Sequence, residues 1–187
     1  MACFIFLADG FEDMEALGTR DVLLRGGVSV STVSMNEDVM VCSSHGQGVF
    51  ADCTWEEFAD GPVPDREDIL VFPGGMPGSK NLAAHKALME LTYTHWNSGG
   101  RVAAICAAPG LVLSQLDRLE GRRFTCFDGF QDSLIAKGAV YTPEPAVTDG
   151  NMITGRGAGH AIAFGLAILE SVKGRAAVEK VLSGLML

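Results

Sequence analysis

Positive charge is scarce in this chain of 187 residues, with 14 Lys and Arg against 23 Asp and Glu and a formal net charge of −9. Such a chain repels a phosphate backbone or an anionic lipid surface, so neither nucleic acid nor membrane is expected as a partner. Long apolar runs are missing too. The first one stops at Asp9 and has no basic segment before it, which reads as a core strand rather than a signal peptide. No run approaches the length of a membrane span. Cysteine patterning is equally bare: Cys3, Cys42, Cys53, Cys106 and Cys126 are odd in number and form no C-x-x-C pair. Reduced thiols and a cytoplasmic location are therefore expected, rather than a disulfide framework or a zinc site. No grouping of His, Cys, Asp and Glu has metal-ligand spacing, the phosphate-loop pattern is absent, and no cofactor is expected.

What the chain does have is apolar content, at 48% against 20% charged, which suits one globular domain over residues 1–187. Short apolar runs at 2–8, 28–35, 68–75 and 101–108 are strand candidates, the last two continuous as for strands covered on both faces. Helical patterns follow: one after the first strand, with Glu12, Asp13 and Glu15 in its acidic first turn, and others at 86–98, 109–118, 159–172 and the C-terminal stretch. The stretch around Asp149-Gly150 is a hairpin signal. This alternation predicts a doubly wound α/β sandwich, with a mainly parallel central sheet and helices on both faces. The 159–172 helix, apolar most of the way round, is expected to be buried. In the last helix Val178, Leu182 and Leu185 share one face.

Ligands of such a sheet bind beyond the carboxyl ends of the strands. Three features fall there together: Asp9 to Glu15, the "FPGGMPGS" turn, and Cys106 in "AAICAAPGLVL". Cys106 is either core packing or a nucleophile on a strand–turn–helix elbow, its thiolate favoured by the helix start and its pKa depressed. Gly74 and Gly75, with the Ala107 amide, are an ordinary glycine-rich turn or an oxyanion hole. Glu15 is a solvated helix-start acid or a protonated partner of the sulfur. Trp55 and Trp96 read as packing, Cys3 as core, and Cys42, Cys53 and Cys126 as buried or interface thiols.

"LADGFEDMEAL", "ILVFPGGMPGS", "AAICAAPGLVL" and "TDGNMITGRGAGHAIAFGLAILE" together resemble the ThiJ/PfpI superfamily. Within it they most resemble the branch containing the Parkinson-disease-associated protein deglycase and its bacterial relatives. The resemblance spans nearly the whole chain. It implies a flavodoxin-like sandwich, a homodimer pairing near the first helices, a nucleophile at Cys106, an acidic partner at Glu15, and backbone donors at Gly74, Gly75 and Ala107. Gly18, near Val22, and the charged face of Arg20, Asp21 and Arg25 suit such a pairing. Where relatives often carry a histidine after the elbow helix, this chain has Cys126 and Phe127. His160 is the candidate substitute; otherwise it faces solvent. Three functions are open: a cofactor-free glyoxalase or deglycase acting on methylglyoxal-type dicarbonyls or glycated proteins, a redox-responsive sensor or chaperone, and a peptidase- or amidase-like hydrolase.

Overall fold

Period-two alternation along the central strands sends successive apolar side chains to opposite faces, and that requires cover on both. The computed structural model describes residues 1–187. Its first half runs through β1 (Ala2–Leu7), a π-helical turn (Met14–Gly18), α1 (Thr19–Arg25), β2 (Ser29–Ser34), β3 (Met40–Cys42), β4 (Gly48–Phe50), β5 (Cys53–Thr54), α2 (Trp55–Ala59) and β6 (Ile69–Phe72). Next come α3 (Gly78–Ala84), α4 (Lys86–Asn97), β7 (Arg101–Ile105), α5 (Ala108–Leu111) and a 3-10 turn (Leu113–Gln115). The chain finishes with β8 (Arg123–Phe124), α6 (Asp132–Ile135), β9 (Val140–Tyr141), β10 (Ala146–Asp149), β11 (Met152–Gly155), α7 (Ala161–Lys173) and α8 (Arg175–Leu185).

Seven strands pair in the order β10–β11–β7–β6–β1–β2–β5, parallel throughout except for the β10–β11 hairpin. Phe6, Leu70, Phe72, Val102 and Ala104 pack on one face with Leu82, Leu88 and Trp96 of α3 and α4. Ile5, Leu7, Val71, Ala103 and Ile105 pack on the other with Val22, Leu23, Phe164 and Ile168 of α1 and α7. Each fully buried side chain of this size contributes about 1.5–3 kcal/mol. Both faces being covered, the carboxyl ends of β1, β6 and β7 are held in one plane, and the loops after them meet there.

Some expectations are corrected. The 109–118 pattern yields only the short α5 and the 3-10 turn, since the backbone at Gly110 passes against the Phe130 carbonyl with Phe130 Cβ only 2.9 Å from a Cβ built there. Val22 does not face outward but is fully buried against Gly165, while Gly18, beside Ala161, stays half-buried. Arg20 and Arg25 pair within the chain, with Asp52 at 3.7 Å and Asp21 at 2.6 Å. The 159–172 helix buries only one side, through Phe164, Gly165, Ile168 and Leu169. In α8, Val178, Leu182 and Leu185 face the core together, joined by Val181. Cys42 is exposed, while Cys3 and Cys126 are buried and Cys53 half-buried; all five thiols are free. Trp55 packs among Phe6 and Phe58, and Trp96 is core, as expected of both. No helix is long and apolar enough to cross a membrane.

The close passage at Gly110 yields a direct test. Gly110→Ala forces the elbow segment away from Phe130 and is expected to lower stability by about 1–3 kcal/mol, the usual range for overpacking, read from the urea midpoint. An unchanged midpoint would mean that the passage is not tight.

Candidate active site

Cys106 follows the last residue of β7 with φ = +64°, a left-handed backbone that a side chain other than glycine rarely adopts. Such a conformation costs about 1–3 kcal/mol and persists only where its surroundings hold it. Here they do: the Cys106 amide donates to the Gly155 carbonyl at 3.0 Å, and the Phe127 amide donates to the Cys106 carbonyl at 2.9 Å. The sharp turn lifts the thiol out of the strand, leaving it half-buried at the sheet's carboxyl end.

Glu15 arrives from the helix after β1. The first turn of that helix is π-helical, and Glu15 lies 1% exposed inside it, so the solvated helix-start reading is excluded. Its amide is met by Glu12 Oε2 at 2.8 Å, and the Glu12 amide donates to the Gly74 carbonyl at 3.0 Å, tying the turn to the loop after β6. One carboxyl oxygen of Glu15, Oε2, accepts from the Gly74 amide at 2.8 Å. The other, Oε1, is buried without a nitrogen or oxygen partner. The Cys106 side chain lies beside this carboxyl, both crowding the same point over Gly74.

Glycine at 74 is required for this contact. A Cβ there would lie 2.5 Å from Cys106 Cβ and would collide with Glu15 Oε2. The Gly74 amide, expected as an oxyanion donor, is instead consumed by Glu15, because a carboxyl this deep must find a donor. Gly75 and Ala107 remain, and their amides pull the Cys106 pKa down.

The charges of the pair are set mainly by burial. Desolvation raises the Glu15 pKa from 4.5 to about 7; the Glu12 charge adds to this, and the Cys106 and Gly74 hydrogen bonds oppose it. Burial and then the Glu15 charge push the Cys106 thiol up to about 12, against the pull of the Ala107 and Gly75 amides. The depressed thiol pKa expected from the helix start is therefore not found. A helix of four residues carries too little dipole to outweigh burial and a neighbouring carboxylate. The two groups titrate as a unit, holding one proton between them from about pH 7 to about pH 12. Glu15 is thus a base poised at neutrality beside a thiol.

His160 stands apart from this pair. Its side chain makes no hydrogen bond and borders a cavity of about 300 Å³ with Phe127, Asp128 and Arg156, at the turn just before α7. The auxiliary role expected for it is not supported by the geometry. His95 is buried, bonded to the Asp68 and Arg101 carbonyls, and His85 caps α4 through the Leu88 amide at 3.2 Å. His45 forms an exposed 2.6 Å pair with Asp13 and, with Glu12, a grouping that linear spacing did not reveal. Glu12 was also missed as the group that fixes the Glu15 turn; its only sequence sign is the run "FEDME".

The fold and site together define a flavodoxin-like α/β protein with a cysteine on a strained elbow and a buried glutamate against its sulfur. Residues 1–171 match the model of the DJ-1/PfpI family, and the chain belongs to that family. It is similar to Protein dj-1beta of Drosophila melanogaster, at 32% identity over 99% of this chain and 96% of that one. It is likewise similar to the protein named glutathione-independent glyoxalase DJR-1.2 of Caenorhabditis elegans, at 31% identity over 94% of this chain and 90% of that one. Among solved structures, Toxoplasma gondii DJ-1 in a form described as oxidized superposes with a TM-score of 0.90, at 26% identity, over 99% of this chain and 97% of that one.

The raised Glu15 pKa fixes the sign of a pH effect. Folded Glu15 ionises less readily than unfolded, so its stability contribution is complete below about pH 4.5 and is lost as pH rises through about 7. Glu15→Gln removes that loss. It is expected to raise stability at pH 8 by about 1–3 kcal/mol and to leave it unchanged at pH 4, by urea denaturation at both values. Equal effects at the two pH values would contradict the assignment.

Proposed function

We propose that the protein is a cofactor-independent, cysteine-dependent enzyme acting on methylglyoxal-type dicarbonyls or their adducts on proteins, with Cys106 as nucleophile and Glu15 as proton carrier. One observation carries this reading: a carboxyl buried beside a thiol on a strained elbow, where desolvation raises the carboxyl pKa. Glu15 takes the thiol proton as the sulfur adds to the aldehyde carbon and returns it to the new oxygen, giving a hemithioacetal for which the Gly75 and Ala107 amides serve as donors. Glu15 then takes the proton on that carbon and delivers it to the adjacent carbonyl carbon, while the hydroxyl proton moves to the adjacent oxygen, leaving the thioester of a 2-hydroxy acid. Water hydrolyses the thioester, restores the thiol and releases lactate from methylglyoxal. No external oxidant or reductant is needed, because the aldehyde carbon is oxidised as its neighbour is reduced. The glyoxalase name of the nematode relative supports this reading.

A second reading rests on the same amides. Gly75 and Ala107 would also hold the oxygens of an oxidised Cys106, making the site a redox sensor, and the Toxoplasma relative described as oxidized is consistent with it. A peptidase reading lacks support, since no histidine reaches the sulfur.

Purified protein with methylglyoxal is expected to release lactate, with Cys106→Ala losing about a thousandfold or more and Glu15→Gln about 10²–10⁴-fold. Absence of lactate together with ready Cys106 sulfinate formation in mild peroxide would favour the sensor.

The enzyme is further proposed to act as a homodimer through the exposed side of its first helix. Met14 (58% exposed) and Leu17 (38%) border a cavity of about 380 Å³ with Gly18, Ala161 and Ile162, an apolar face that one chain leaves uncovered. Light scattering is expected to give twice the 19.8 kDa chain mass, and a monomer retaining full activity would contradict the proposal.

A further inference from the structure

At the other end of the sheet, before β7 and β11 begin, lies a cavity of about 430 Å³ lined by Arg66, Arg118 and Arg122 together with Asn97 and Asn151. Three guanidinium groups around one cavity are unexpected in a chain of net charge −9. Like charges repel, so the nearby negative groups matter. Asp149 is the only carboxylate bonded to any of the three, through Arg122 Nη1 at 3.1 Å. Asn151 Oδ1 accepts from Arg122 Nη2 at 3.1 Å, Asn97 Oδ1 accepts from Arg118, and Arg66 has no partner. Glu67 is engaged with Arg101 at 3.6 Å, and Asp117 accepts from Tyr93 at 2.6 Å. The carboxyl end of α4 points here, but it carries only about half a negative charge. Its last carbonyls, at Thr94, His95 and Trp96, already accept from the Ser98, Gly100 and Gly99 amides. More than one positive charge is left unmatched.

Two of the three arginines are also held in place, Arg118 by Asn97 and Arg122 by Asn151 and Asp149. Arg122 lies over the Trp96 ring at 5.1 Å, and Gly150, with φ = +57°, gives it room: a Cβ there would lie 2.8 Å from Nη1. Arg118 sits on a left-handed backbone with φ = +58°. Preorganised guanidinium forks suit the oxygens of a phosphate group.

We propose that this cavity binds a small phosphate monoester. A dianion matches the unmatched charge, and the volume falls in the range of small-molecule sites, about 300–1,000 Å³, leaving space for a carbon skeleton beyond the phosphate. The acidic surface of the rest of the molecule excludes long polyanions and favours a small ligand. The five residues of β7 separate this site from Cys106 by about 15–20 Å, so it is distinct from the reactive cleft.

Calorimetric titration at low ionic strength tests this with two probes, inorganic phosphate and glycerol phosphate. Saturable binding of one molecule per chain is expected, with the ester binding at least as tightly as the inorganic ion. Arg66→Ala and Arg118→Ala are each expected to weaken it about tenfold. Cys106→Ala is expected to leave it unchanged. Arg66 is exposed and unpartnered, so its removal tests binding without disturbing the fold, whatever Arg118→Ala does to stability. No saturation by about 10 mM of either probe would overturn the proposal, given that weaker binding is non-specific. So would binding indifferent to both arginine changes, or binding lost in Cys106→Ala.

Discussion

Burying the Glu15 carboxyl is the constraint from which the rest of the site follows. A carboxyl at 1% exposure must find donors, and the one within reach is the Gly74 amide. That contact requires glycine at 74, because any side chain there would occupy the space of Glu15 and Cys106. It also requires the first turn of the helix to be π-helical, so that Glu15 points into the sheet rather than to water. The second oxygen is left without a hydrogen-bond partner, and burial beside the thiol raises the carboxyl pKa. Chemistry at Cys106 is therefore a property of two elements brought together, not of the cysteine alone.

The large features of the fold were legible because they are local. The strands at 2–8, 28–35, 68–75 and 101–108 are runs of apolar residues, and Asp149-Gly150 marks its own hairpin. The elbow could be placed because Cys106 directly follows an apolar strand. Other features depend on distant contacts and left little local trace. The π-helical turn is tethered to the loop after β6, and Phe130 lies across Gly110 in the short α5. The thiol pKa was misjudged for the same reason: a helix start predicts a favoured thiolate, but burial and the Glu15 charge outweigh four residues of helix.

The sheet also gives the molecule two chemically opposite ends. The carboxyl ends of β6 and β7 present a nearly dry acid–thiol pair, where low polarity raises both pKa values. The amino ends of β7 and β11 gather arginines around an open cavity, fixed by asparagines and a tryptophan face. β7 links the two, with Arg101 at one end and Cys106 just past the other.

The central claim is that burial and the Glu15 carboxyl beside it, not the helix start, govern the state of the thiol. Carbon-13 NMR of the Glu15 carboxyl, titrated in the wild type and in Cys106→Ala, tests it most directly. The account predicts a midpoint near 7 in the wild type, rising when the thiol that stabilises the carboxylate is removed. A midpoint near the ordinary value of about 4.3, or one that falls in Cys106→Ala, would contradict it.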